Sequence, residues 1–131
     1  MKFSNELPPK EIYEQCVKQF GVSFYKGVIF TVDDTIYSEN KLSDDLVEHE
    51  STHIKQQFKI GYKKWWDKYF KDEKFRYSQE LEAYRNQYRY ILTNEKSFKK
   101  KANKILNIVN SLSGKMYGNI KTVDEVKQDL K

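Results

Sequence analysis

The sequence predicts one small α+β domain over residues 1–131. Three observations carry that prediction: helical periodicity near the N-terminus and again from residue 44 onward, a β-branched and aromatic stretch between them, and a composition that demands a core. The chain has 131 residues, 38% hydrophobic and 15% aromatic, with only five Gly and two Pro. That is one domain's length, and too many rings for a chain that stays disordered for lack of apolar surface. Ten Tyr and eight Phe make the core aromatic, and every buried Tyr hydroxyl needs a partner.

Residues 9–20 place Ile12, Tyr13, Cys16, Val17 and Phe20 on one helical face, begin at Pro9 and stop at Gly21. From Val22 to Ile36 the pattern changes to Phe24, Tyr25, Val28, Ile29, Phe30, Thr31 and Val32, then Asp33-Asp34, which predicts a β-hairpin or short meander. Ser43 followed by Asp44-Asp45 reads as an N-cap with acids in the first turn, so a helix is expected from about Asp44 to Ile60, ending near Gly61. Its apolar stripe is Val47, Ile54 and Phe58. The basic and aromatic run Tyr62–Phe70 suggests a helical turn or loop covering its neighbours. Longer helices follow from about Lys74 to Thr93 and from Phe98 to before Gly114, and Thr122-Val123-Asp124-Glu125 is a capping box that opens a last short helix.

The net charge is +5, with 21 Lys and three Arg, a balance that selects no partner class because nucleic-acid readers favour Arg forks. Trp65-Trp66 offers stacking rings for a nucleic acid only if exposed, and adjacent helical residues point about 100° apart, which places one of them in the core. No stretch reaches the roughly 18 apolar residues of a membrane span, and the N-terminal residues lack a signal peptide's apolar segment, so an unsecreted, cytoplasmic protein is expected, or one of host cytoplasm or virion if phage-encoded. The lone Cys16 reads as a reduced, buried residue.

The only two histidines stand as His49-Glu50-Ser51-Thr52-His53. Two imidazoles one helical turn apart can reach one ion, and Glu50 between them can bond a water there. Random placement of two His and eleven Glu gives this arrangement roughly once in 800 chains of this length. Both histidines lie beside the apolar stripe, at the edge of the core. A third ligand has to be a carboxylate, since no other His and only one Cys exist, and Gln79-Glu80-Leu81-Glu82-Ala83-Tyr84 is the best source. With Tyr77, Leu81, Tyr84, Tyr88, Ile91 and Leu92 as the buried face, Glu80 falls roughly 70° from its centre and Glu82 about 130° away. Glu80 is therefore the candidate ligand and Glu82 faces solvent.

His49-Glu50-Ser51-Thr52-His53 followed 27 residues later by Glu80-Leu81-Glu82-Ala83-Tyr84 resembles the gluzincins, zinc metallopeptidases whose ligands are two His and a downstream Glu. It is especially similar to the single-domain minigluzincins and to small phage and bacterial proteins with the same motif. The resemblance covers about residues 22–92 and departs at Tyr84, where related membrane-embedded peptidases usually place Asp. It implies a zincin-like fold, with an N-terminal helix and hairpin packed on the motif helix and further helices behind. It also implies Zn²⁺ on His49, His53 and Glu80, with Glu50 taking a proton from zinc-bound water as that water attacks a peptide carbonyl. An oxyanion-stabilising Tyr would be Tyr84 or Tyr117, and the Phe24–Tyr37 region would be the platform for an extended peptide substrate. The competing reading is a non-enzymatic binding, inhibitor or phage structural protein that keeps the zincin frame.

Overall fold

The computed structural model describes residues 1–131, the side chain of Lys115 excepted. Three short strands and six helices follow one another as β1 (Lys2–Ser4), α1 (Lys10–Phe20), β2 (Phe30–Val32), β3 (Thr35–Tyr37), α2 (Asp44–Ile60), α3 (Tyr62–Lys71), α4 (Glu73–Asn94), α5 (Phe98–Leu112) and α6 (Val123–Leu130), with 3₁₀ turns at Phe24–Lys26 and Lys115–Tyr117. The architecture is α+β, mostly helical, with one three-stranded sheet of order β1-β3-β2. Among the described residues, no helix is long and apolar enough to cross a membrane.

Strands β2 and β3 form the expected hairpin, with Val32 opposite Thr35 across the Asp33-Asp34 turn. Asp33 takes a positive φ of 57° there, a conformation that Asp tolerates better than most residues. The β structure is shorter than the residue pattern suggests, because Phe24–Lys26 winds into a 3₁₀ turn whose Phe24 ring is buried in the core. Strand β1, which the sequence reading does not anticipate, pairs in parallel with β3, Phe3 opposite Ile36. Three residues with no alternation carry no signal of their own, and the partner lies more than thirty positions away.

The stretch Tyr62–Phe70 is a complete helix rather than a loop. Trp65, Trp66 and Tyr69 lie on the packed side of α3, and both Trp rings are buried. The pair subtends about 100°, but Tyr69 and Phe70 fall on the same side of α3, and the packed arc from Trp65 to Phe70 takes in both indoles, so neither ring faces solvent. That removes the exposed stacking surface required by a nucleic-acid reading.

Two apolar clusters divide the molecule. One gathers Cys16, Phe24, Phe30, Val32, Trp65, Trp66 and Tyr69 from α1, the hairpin and α3; the other gathers Tyr77, Ile91, Ile108, Val109, Leu112, Tyr117, Val126 and Leu130 from α4, α5, α6 and the turn before α6. Helices α2 and α4 form the largest helix pairing, between these clusters. Here the sequence reading is corrected. The residues that α2 buries are Asp45, His49, Glu50, Thr52, His53, Gln56 and Gln57, whereas Phe58 of the supposed apolar stripe is 87% exposed. On α4 likewise the buried set is Arg76, Tyr77, Glu80, Ala83, Gln87 and Ile91, and Leu92 is exposed. Phe98 of α5 also lies outside. Ala83, fully buried, lets the two helix backbones come close.

A single glycine joins α2 to α3. Gly61 has φ 87° and ψ 140°, a region that a Cβ makes strained, while a Cβ built there meets nothing within 4 Å. The penalty of Gly61→Ala is thus conformational and not steric. We expect the substitution to lower the unfolding free energy by about 1–3 kcal/mol, read in urea as a lower midpoint with an unchanged slope; an unchanged midpoint would show that the joint adapts freely.

Candidate metal centre

Helix α2 supplies two imidazoles on successive turns and α4 supplies a carboxylate opposite them. Nε2 of His49 and Nε2 of His53 lie 3.1 Å apart, and Oε1 of Glu80 lies 3.1 Å from the first and 2.9 Å from the second. All three residues are about 95% buried. The histidines therefore stand inside the interface and not at its rim, because the face of α2 that packs is its polar one. Glu80 is brought in and Glu82 stays exposed, as the helical projection expects, although Glu80 lies at the middle of the packed face.

Which ring nitrogens carry lone pairs follows from the groups behind them. Nδ1 of His49 faces Oε1 of Gln87 at 3.1 Å, and Gln87 is turned that way because its Nε2 donates to the Asp45 carboxylate. Nδ1 of His53 faces Oε1 of Gln56 at 2.8 Å, and the Gln56 amide nitrogen donates to the Gln79 carbonyl and to Glu82. An amide whose nitrogen is so engaged can present only its oxygen to the ring, so each Nδ1 must be the protonated atom. Each Nε2 then turns a lone pair inward in the neutral ring. Two nitrogens and a carboxylate oxygen consequently aim electron density at one point.

Without a cation a proton does that work. Burial would lower the His53 pKa, but the Glu80 carboxylate outweighs burial and raises it to about 9. Burial would likewise raise Glu80, and the facing His53 and His49 rings instead hold it well below the usual carboxylate range. The donor set also suits a divalent ion. Ligands at the 2.0–2.1 Å distances typical of zinc stand about 3.3 Å apart around a tetrahedron, so this triangle needs to open by only a few tenths of an ångström.

Glu50 is the fourth polar group. Thr31 on β2 donates to its Oε1 at 2.8 Å, and its Oε2 lies 3.8 Å from Nε2 of His49. One oxygen is anchored and the other is left beside the triangle, about one water molecule away. These groups line a cavity of about 360 Å³ that is otherwise walled by Val22, Val28, Phe30, Leu46, Trp65 and Met116. Tyr84 and Tyr117 line it too. Burial first, and then the Glu80 charge, raises both phenols, so they stay protonated and able to donate. Cys16 also borders the cavity, but burial pushes its thiol up to about 12, which makes it an inert core residue.

Four residues that the sequence reading does not name as site residues complete the surroundings. Gln56, Gln87 and Tyr69 hold the three converging side chains, and the buried Arg76 donates to the backbone carbonyls of Tyr69 and Met116. The two glutamines had a signal, Gln56 one turn from His53 and Gln87 two turns from Glu80 on the same face, but amides are rarely read as site residues. The hairpin edge also departs from expectation. The Thr31 carbonyl on β2 accepts from Nε2 of Gln57 and Nε1 of Trp66, so this edge strand is already hydrogen-bonded where an added peptide strand would attach.

Compared with known protein families, curated proteins and solved structures, the chain gives no match. What can be said of the site therefore rests on its own geometry. His49, His53 and Glu80 form a grouping able to hold a metal ion.

Two outcomes follow from these hydrogen bonds. Gln87→Leu and Gln56→Leu, each close in size but unable to accept from Nδ1, should weaken the affinity for a divalent cation by about 10–100-fold, measured by competition with a chromophoric chelator; undiminished affinity would deny the amides their role. The second concerns Asp45. Its burial raises the pKa, but hydrogen bonds from Gln87, Ser43 and Lys104 more than offset this and leave it below the ordinary value. A depressed carboxyl adds stability above the unfolded-state pKa, near 3.8, and that stability disappears as pH falls through the lower folded value. Acid unfolding of Asp45→Asn should accordingly show a shallower pH dependence below about pH 4 than the wild type.

Proposed function

We propose that the chain is a zinc-dependent metallopeptidase, with His49, His53 and Glu80 as ligands and Glu50 as general base. The observation that carries this reading is the convergence of two Nε2 lone pairs and one carboxylate oxygen, each fixed from behind, with an anchored carboxylate beside them. A structural site would be closed by a fourth protein ligand. Among the described residues the grouping has three.

In this reading the histidines are neutral donors and Glu80 contributes the charge that favours a divalent ion. When bound, zinc lowers the pKa of water to about 7 and polarises a carbonyl. Glu50 then needs position more than basicity: Thr31 holds one oxygen, and the free one takes the proton of the attacking water and passes it to the leaving amine. Tyr84 and Tyr117, which line the cavity, are the candidates to donate to a developing oxyanion. The chain order of hairpin, motif helix and ligand helix supports the same reading. Because the Thr31 carbonyl is taken, substrate would be held by the cavity and not by full strand addition along β2.

The deciding experiment is metal content by mass spectrometry after purification without a His tag or added metal, followed by a peptide-library cleavage assay. About one zinc per chain is expected, lost in Glu80→Ala and kept in Glu82→Ala, since Glu82 reaches the centre only through Gln56, which Gln79 also holds. Glu50→Gln should keep the metal and lose cleavage by a factor of about 100 or more. Equal metal loss in the two α4 variants would remove Glu80 from the ligand set. Metal without cleavage of any peptide would favour a binding protein on the same frame.

A further inference from the structure

The metal reading leaves open how Glu80, with two oxygens, presents itself to an ion. The structure constrains only one of them toward the histidines. Oε1 completes the triangle, while Oε2 accepts a hydrogen bond from the Tyr69 hydroxyl at 2.5 Å. Tyr69 belongs to α3 and reaches Glu80 from the opposite apolar cluster. Its ring has no room to withdraw: it is buried, stacked on Trp65 at 4.9 Å between ring centres, tilted against Trp66 at 5.1 Å and met edge-on by Phe20. Its backbone carbonyl is held in turn by Nη1 of Arg76 from α4.

We infer that Tyr69 is a positioning residue that restrains Glu80 to one-oxygen ligation, keeping the next position at the ion free for water or substrate. This rests on the metal reading above and adds to it the reason why the site stays open. A carboxylate free at both oxygens can chelate and fill that position itself. A phenol ring packed against three neighbouring rings and bonded to Oε2 opposes the rotation that chelation requires.

Cobalt(II) tests this without relying on activity, because its visible absorption is intense in four-coordinate sites and weak in sites of higher coordination. Co²⁺ alone is titrated into metal-stripped wild type, Tyr69→Phe and Tyr77→Phe. Tyr77 is a control on α4 whose hydroxyl bonds Asp129, away from the centre. The wild type and Tyr77→Phe should show the intense spectrum at one ion per chain, and Tyr69→Phe should bind Co²⁺ with the visible bands weakened several-fold. An identical spectrum in Tyr69→Phe overturns the inference and leaves the metal reading intact. Absence of Co²⁺ binding in the wild type overturns both. Should Tyr69→Phe fail to fold, the carboxylate stretching bands of Co²⁺-loaded wild type decide the matter: a wide separation of the two bands marks one-oxygen ligation, and a narrow one, marking chelation, overturns the inference.

Discussion

Everything near the centre of this protein depends on one constraint: two helices are packed together through their polar faces, so each buried donor and acceptor must find a partner inside the interface. Leaving such a group unpaired costs about 1–3 kcal/mol. The interface satisfies that demand by chaining amides to rings and to carboxylates, Asp45 to Gln87 to His49 on one side, and Gln79 and Glu82 to Gln56 to His53 on the other. These two chains, together with Tyr69 behind Glu80, end at three atoms with electron density and no hydrogen left to share. A core built this way is costly unless a positive charge sits at its middle.

The flanking clusters explain how so polar an interface is held shut. Trp65, Trp66 and Tyr69 press on one side of it and the helices α4 to α6 close the other. Some of the aromatic residues also carry polar tips that face inward. Trp65 donates to Gln79, Trp66 to the Thr31 carbonyl and Tyr69 to Glu80, so the rings fill volume and fix polar atoms at once. This answers the compositional question of why a small domain uses so many rings and so few aliphatics.

Much of this was legible in the sequence, and what was not has identifiable causes. The limits of α2 are those read from Ser43, Asp44 and Gly61, and the capping box at Thr122 is present with both of its hydrogen bonds. Ser43 occupies the N-cap without a side-chain cap bond, however. Pairing His49 and His53 with Glu80 in preference to Glu82 needed only helical geometry. The burial of α2 was misjudged because periodicity assigns apolar residues to the inside, and Phe58 with Ile54 would then be core; a helix that buries His, Glu and Gln inverts the rule that the method rests on. Strand β1, the helical state of α3 and the reach of Tyr69 to Glu80 are decided by contacts between distant segments. The residues 62–70 carry two Trp and a Tyr with the right spacing, but only a three-dimensional pocket could say that all three rings fit inside.

The single-residue joint at Gly61 bears on how such a chain can vary in length. Exposed positions between helices usually tolerate insertions. Here one added residue carried into α3 would rotate it by about 100°, swinging the Tyr69 hydroxyl off Glu80 and the Trp66 indole off Thr31, although neither partner lies near the insertion in sequence. Descent with insertions and deletions is thus barred at a point that surface exposure alone would mark as permissive, and length changes are left to the loops around α5 and α6.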